Sequence, residues 1–443
     1  MSEFKKLTSQ QLQGYEADFK KRPDAAVIAR AVMKNGIKAT SEDQNVSQRS
    51  HRVFSYEVKT GKVSNQRHSG RCWSFATLNT LRHLFASQYN FKDFELSQNY
   101  LFFWDRVERA NMFLQNIIAT AALPFHDRLV DFYVAFAEND GGQWANAASI
   151  IEKYGVVPEY VMPDTYNTKN TDDIAGVMIM KDLMHKDALV LRKMINEQHA
   201  DRVAVQQVKE KMVSEVYRLA VYAFGMPPKQ FDLEYQDDDH QLHRQANLSP
   251  LEFFHQYWQL NLRDYVVLTN APDHKLNQVY SMPQQENVVG GIPLQFVNVP
   301  FEELQNSAVK QLKAGETVWV GNDVLQQMDR KRGIMDAELY KTEALLGIDY
   351  VMNKKERLET RQACVSHAMT LTGFNEADGQ IDRWKIENSW GEENGEKGYF
   401  VMTQKWFEDY TYEAVINKRY LSSELLQLTK QRPVQLTAWD SLQ

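Results

Sequence analysis

Between residues 73 and 85, apolar side chains recur at Phe75, Leu78, Leu81, Leu84 and Phe85. Steps of three and four residues place them on one face, so the spacing predicts a helix with a buried stripe. Segments 113–134 and Trp144–Tyr154 are read as helical too. From 174 to 223 the chain carries two longer, charged amphipathic segments, through Met184-His185-Lys186 and Gln206-Gln207-Val208-Lys209-Glu210-Lys211, with Pro227-Pro228 expected to end the second. This pair shows little core of its own and is expected to form an arm that contacts another subunit. Further on, 316–321, the segment around His367, 384–387 and 399–402 read as strands of a twisted antiparallel sheet, with Gly373 to Gly379 supplying a turn. The run Tyr100-Leu101-Phe102-Phe103-Trp104 is too continuously apolar for a binding platform and is assigned to the core. Helices first and strands later give an α+β class dominated by helix.

Composition narrows the picture. A chain of 443 residues has room for two or three domains, and it shows no repeat or low-complexity linker. A net charge of −7 with 25% charged residues argues against a dominant nucleic-acid partner. Two cysteines give no disulfide framework and point to a reducing compartment, the cytoplasm. No stretch approaches the ~20 apolar residues of a membrane span, and the first residues lack an apolar signal core. The segment Glu234-Tyr235-Gln236-Asp237-Asp238-Asp239-His240-Gln241-Leu242-His243 gathers carboxylates and imidazoles, but its spacing matches no recognised metal site. It is read as a solvated loop, and no metal or other cofactor is expected.

The chemistry lies elsewhere. Around Cys72 the chain reads Gln66-Arg67-His68-Ser69-Gly70-Arg71-Cys72-Trp73-Ser74-Phe75, which puts a thiol at the start of the predicted helix, after a glycine suited to a tight turn. A helix N-terminus and a protonated imidazole both favour the thiolate, the nucleophilic form. Far downstream, His367 lies in Val365-Ser366-His367-Ala368-Met369 and Asn388 opens Asn388-Ser389-Trp390-Gly391. Alone, Cys72 is a small buried hydrophobe, His367 a core histidine and Asn388 a turn residue. Their order changes that reading, because a strand–turn–strand hairpin returns Asn388 to His367. The set supplies a nucleophile, an ion-pair partner that later protonates the leaving amine, and a group that orients the imidazole. The Gln66 amide and the Cys72 backbone N–H are candidate oxyanion donors. Cys364, three residues before His367, would sit on the opposite face of a strand and is assigned to buried packing.

These stretches, together with Leu96-Ser97-Gln98-Asn99-Tyr100, Gly141-Gly142-Gln143-Trp144 and Gly398-Tyr399-Phe400, resemble the papain-like cysteine peptidases. The likeness is greatest to the intracellular branch of bleomycin hydrolase and bacterial aminopeptidase C. It implies a two-lobed papain-like fold, one lobe helical and the other an antiparallel β-sheet or barrel, with peptides as substrates. It also implies that Gly141 and Gly142 line the cleft, that Trp390 covers the His367–Asn388 bond, and that the protein assembles as a homohexamer. His367 follows Cys72 by 295 positions, against roughly 130–150 in simple papain-like enzymes, so a large, mainly helical insertion is expected between them. The expected division is an N-terminal segment (1–65), a helical lobe (66–170), the insertion (171–310), a β-rich lobe (311–430) and a tail entering the cleft (431–443).

The tail bears on the mode of cleavage. In aminopeptidase C-like relatives a terminal carboxylate in the cleft holds the substrate's α-amine. Here the chain ends Leu436-Thr437-Ala438-Trp439-Asp440-Ser441-Leu442-Gln443, a few residues sooner than that pattern. Three to four extended residues span roughly 10–14 Å, so the Gln443 carboxylate would be withdrawn. Endo- or oligopeptidase action is therefore expected, with strict aminopeptidase action as the alternative. A rival of another class is a hexameric binding protein that keeps the fold without turnover.

Overall fold

The computed structural model describes residues 5–137, 139–171 and 174–442. Its helical side is built on α1 (Cys72–Tyr89), α2 (Gln98–Ala119) and α3 (Trp144–Tyr154). Helix α1 is buried on almost every side, with Trp73, Phe75, Leu78, Leu81 and Phe85 at 1% exposure or less. The Tyr100–Trp104 run belongs to α2 and to the same core. The segment 113–134 is not one helix. Helix α2 stops at Ala119, and after Pro124 a new helix, Arg128–Phe136, starts where Asp127 caps the Leu129 N–H.

Helices α4 (Ile174–Asn196) and α5 (Arg202–Phe224) form the expected pair, ended by Gly225 at φ +94° rather than by the prolines. They are not a free arm. Met184, Ala188, Leu191, Val205, Met212 and Val216 pack with Ala110, Phe113, Leu114 and Ile117 of α2 in a core of their own. The apolar positions that looked sparse on each helix converge once two helices face a third. Beyond them, the acidic segment near 237 is a β-hairpin rather than a loop, pairing Phe231–Gln236 with Leu242–Leu248, with His243 Nε2 at 2.8 Å from Asp237.

The sheet is centred on β1 (Tyr265–Thr269), β2 (Val318–Asn322), β3 (His367–Ala377), β4 (Gln380–Glu387), β5 (Tyr399–Thr403) and β6 (Thr411–Asn417). Their spatial order is β1-β6-β2-β3-β4-β5, antiparallel throughout. The edges depart from the expected pattern. Gln295–Asn298 adds parallel to β1 and Ile334–Met335 parallel to β5, so the whole sheet is mixed. The β3–β4 turn is Asp378-Gly379, whereas Gly373 lies within β3, where a Cβ would come 2.5 Å from the Tyr56 carbonyl oxygen. The α+β class stands, with α1 between the helical lobe and one face of the sheet. Among the described residues no helix is long and apolar enough to cross a membrane.

Candidate active site

Cys72 is the first residue of α1, and three contacts index that helix onto the sheet. Trp319 Nε1 donates to the Trp73 carbonyl (3.3 Å), Thr370 Oγ1 donates to the Ala76 carbonyl (3.4 Å), and Arg82 pairs with Glu387 at 2.5 Å. His367 is the first residue of β3 and Asn388 directly follows β4. The hairpin register, Thr370 opposite Glu387, carries the chain back so that His367 Nε2 lies 2.8 Å from Asn388 Oδ1. With the Asn388 oxygen accepting, Nε2 carries the proton and Nδ1 is left as the basic nitrogen. The Trp390 ring lies 4.8 Å from the imidazole, centroid to centroid.

Gln66, Gly70, Cys72, Gly142, His367 and Ala368 are among the residues lining one cavity of about 270 Å³. Gln66 is fixed from both ends: its Nε2 donates to the Ser69 carbonyl (2.6 Å) and its Oε1 accepts from Ser389 Oγ (2.5 Å). The amide keeps a second N–H. Gly70 is needed for space rather than for a left-handed turn: a Cβ there would fall 2.0 Å from Asp140 Oδ1, and its N–H donates to Asp140 Oδ2 at 2.6 Å. Gly142 lies against the Trp73 indole, which a Cβ would meet at 2.8 Å. Gly141 has both backbone groups engaged, its N–H by Asn139 Oδ1 (2.7 Å) and its carbonyl by Arg109 (2.9 Å).

Burial pushes the Cys72 thiol up to about 11, and the Asp140 carboxylate adds to the shift. Burial likewise pulls His367 down to about 4, against the hydrogen bond it donates to Asn388. The surroundings of each group, taken singly, thus hold it neutral between those values, and the ion pair expected from the sequence depends on the attraction of its own two charges. Cys364 is a second correction. It is exposed, in the irregular stretch before β3, because that strand begins only at His367. Gln443 lies outside the described residues. The tail before it is held by Asp440 on His274 (3.1 Å), by Ser441 on Asp273 (2.6 Å) and by Arg361 on the Trp439 carbonyl (2.5 Å).

Sequence reasoning missed several supporting groups. Asp140 is one, although it directly precedes the Gly141-Gly142 pair that drew attention. Another is the buried Asp105 cluster, in which Arg106, Arg109 and Asn287 converge on one carboxylate and the two arginines reach on to the Asn139 and Gly141 carbonyls. Burial raises the Asp105 pKa, but Arg109 and Arg106 outweigh it and hold the carboxyl below its usual range. Nothing in the local pattern shows that residues 105 and 287 meet. Among the described residues no group of three or more histidine, cysteine or carboxylate side chains could hold a metal ion.

The sequence model of the Peptidase C1-like family matches residues 6–443. Aminopeptidase G of Lactobacillus delbrueckii subsp. lactis is 49% identical over 436 residues, covering 98% of this chain and 99% of that protein. Aminopeptidase C of Listeria monocytogenes is 42% identical over 438 residues, covering 98% of each. Among solved structures, PepW from Lactobacillus rhamnosis HN001 superposes with a TM-score of 0.96 at 43% identity, covering 99% of this chain and 98% of that one.

Proposed function

The chain belongs to the Peptidase C1-like family and is a cysteine-type peptidase, and from that premise we propose that it cleaves short peptides in the cytoplasm by a Cys72–His367–Asn388 mechanism. Cys72 Sγ attacks the scissile carbonyl carbon as its proton passes to His367 Nδ1. The resulting oxyanion accepts from the Cys72 N–H and from the second N–H of Gln66. The C–N bond then breaks, and the Nδ1 proton leaves with the amine. Water, deprotonated by Nδ1, hydrolyses the thioester and restores the thiol. Asn388 keeps the ring in register and Trp390 shields its bond. The observation that carries this reading is the 2.8 Å His367–Asn388 bond beside a cavity shared by His367, Cys72 and Gln66. With Gly141 occupied by Asn139 and Arg109, Gly142 is the glycine left to pair with the substrate backbone.

For the mode of cleavage we retain endo- or oligopeptidase action. The last described residues are tied to Asp273, His274 and Arg361, and none of them is among the residues lining the Cys72 cavity. The relatives' names favour the second reading, release of single N-terminal residues. A peptide ladder with free or acetylated N-termini, read by mass spectrometry, separates them. Internal cuts in acetylated peptides are expected; strict one-residue trimming of free N-termini would overturn the preference. A thiol-directed peptide electrophile should label Cys72, which a non-catalytic binding protein has no reason to favour. We also propose a homohexamer. The α4–α5 pair offers a contact, since its outer face exposes Leu189, Val203 and Tyr222. Light scattering that gives a monomer at micromolar concentration would refute it.

A further inference from the structure

Away from the cleft, a cavity of about 580 Å³ is walled by the 337–344 and 350–352 segments and by the short helix Lys354–Glu359. It shares no lining residue with the Cys72 cavity. Two cations of that helix meet different fates. Lys354 Nζ donates to Asn270 Oδ1 (2.9 Å) and to the Glu408 (2.9 Å) and Thr411 (2.7 Å) carbonyls, so its three N–H groups are used. Arg357 lines the cavity and is only 7% exposed. One of its terminal nitrogens donates to the Asp409 carbonyl, and the guanidinium sits 4.3 Å from the centre of the Tyr410 ring. Its Nε has no hydrogen-bond partner among the described residues. Asp323, a buried carboxyl that feels the same charge, does not line the cavity, and burial pushes it toward its neutral form. A buried donor of a permanent cation left this way costs stability unless an acceptor reaches it.

We propose that this cavity binds a small carboxylate with an apolar body, its anion on Arg357 and its body against the tyrosines. Tyr340, Tyr350 and Tyr410, with Val351 and Met352, supply the apolar wall. Tyr350 and Val351 are 52% and 64% exposed, which leaves the mouth open to solvent. The acids of the rim are already engaged. Glu338 pairs with Lys341 (3.4 Å), and Glu343 accepts from the Tyr350 N–H (3.4 Å). Arg357 is thus the charge that a ligand meets inside, and a carboxylate there gains a charge-assisted hydrogen bond from Nε. Apolar walls with one such polar anchor are the usual build of a small-molecule site. Two sources carry this chemistry. One is the C-terminal end of an apolar peptide, a new carboxylate being formed at every cut a peptidase makes. The other is a free aryl or alkyl acid.

Equilibrium dialysis of the full-length protein, its cleft blocked by a thiol-directed peptide electrophile, tests this with three probes: N-acetyl-phenylalanine, its amide, and 3-phenylpropionate. N-acetyl-phenylalanine is expected to bind about tenfold more tightly than the amide, the worth of one charge-assisted hydrogen bond. Equal binding of acid and amide overturns the proposal on the wild-type protein alone, and so does no binding of either acid at about 10 mM. In Arg357→Met the acid and the amide should fall to within about twofold of each other; a ratio left intact overturns the assignment. Should that variant not fold, Val351→Asp at the exposed mouth decides. Its carboxylate should repel both acids and weaken them several-fold at an unchanged melting temperature, and unchanged acid binding overturns the site. Equal binding of 3-phenylpropionate and N-acetyl-phenylalanine marks a free acid as the source. Binding confined to N-acetyl-phenylalanine marks a peptide end, and either result upholds the site.

Discussion

The two walls of the cleft hold their groups by different means. On the helical wall the chain near Cys72 is loop, and buried charges fix it in pairs. Arg71 is fully buried and pairs with Asp164 at 3.0 Å, while the Asp105 cluster clamps the 139–141 carbonyls. On the sheet wall, His367 and Asn388 are set by the β3–β4 ladder, and two buried glutamates show the contrast. Glu387 meets Arg82 at 2.5 Å and His83 at 3.0 Å; burial raises its pKa, but these partners bring it below the usual carboxylate range. Among the described residues Glu413 has no such partner, and burial pushes it up instead. Irregular backbone needs side-chain ties to hold a reactive group in place. A strand ladder fixes position through its own hydrogen bonds, so the state of a polar side chain on it depends on what packs against it.

The largest expected effect tests the chemical division between the walls. Cys72→Ser should lower turnover on the order of 10³-fold or more, because the hydroxyl lacks the thiolate's acidity, with the melting temperature unchanged. Full turnover would end the cysteine mechanism. Next comes stability. Arg82→Met leaves the buried Glu387 short of its main partner and should lower the unfolding free energy by about 3–5 kcal/mol. Glu413→Leu removes a buried carboxyl without a partner among the described residues and should be neutral or stabilising. Equal losses in urea unfolding would break the contrast between the two glutamates.

The tail joins the walls, since Arg128 of the helical wall stacks on Trp439 at 4.0 Å and Arg361 of the other side holds the Trp439 carbonyl. Its latch is His274, raised to about 9 by Asp273 and Asp440. A histidine raised in the folded state contributes stability that is full below its unfolded pKa of about 6.5 and is lost as pH rises through about 9. Carboxypeptidase digestion of the tail should therefore be several-fold faster at pH 10 than at pH 7; equal rates would remove the latch. The smallest effect belongs to Cys364→Ser. The residue is exposed and outside the strand, so turnover should change less than about twofold and stability by under about 0.5 kcal/mol.

Much of this was legible in the chain. The helix that begins at Cys72 followed from its apolar spacing, and the return of Asn388 to His367 followed from two β-patterned segments joined by a turn. The burial of Tyr100–Trp104 followed from its density of apolar residues. Each of these depends on neighbours in sequence, where period and turn chemistry act directly. The break at Pro124 and Asp127 was missed although its signals are local.

What the sequence by itself determined is the set of reactive residue types, their order, and the α+β class that brings a helix start against a sheet. Only the tertiary structure decided which groups support them and in what state. Arg82 meets Glu387 across 305 positions, Asn287 meets Asp105 across 182, and Gly321 makes room for Glu413 between neighbouring strands. The opposite shifts of Glu387 and Glu413, like those of Cys72 and His367, arise from burial and from whichever charges lie within a few ångströms. Those distances are set by how strands and helices pack, and no local period in the chain encodes them.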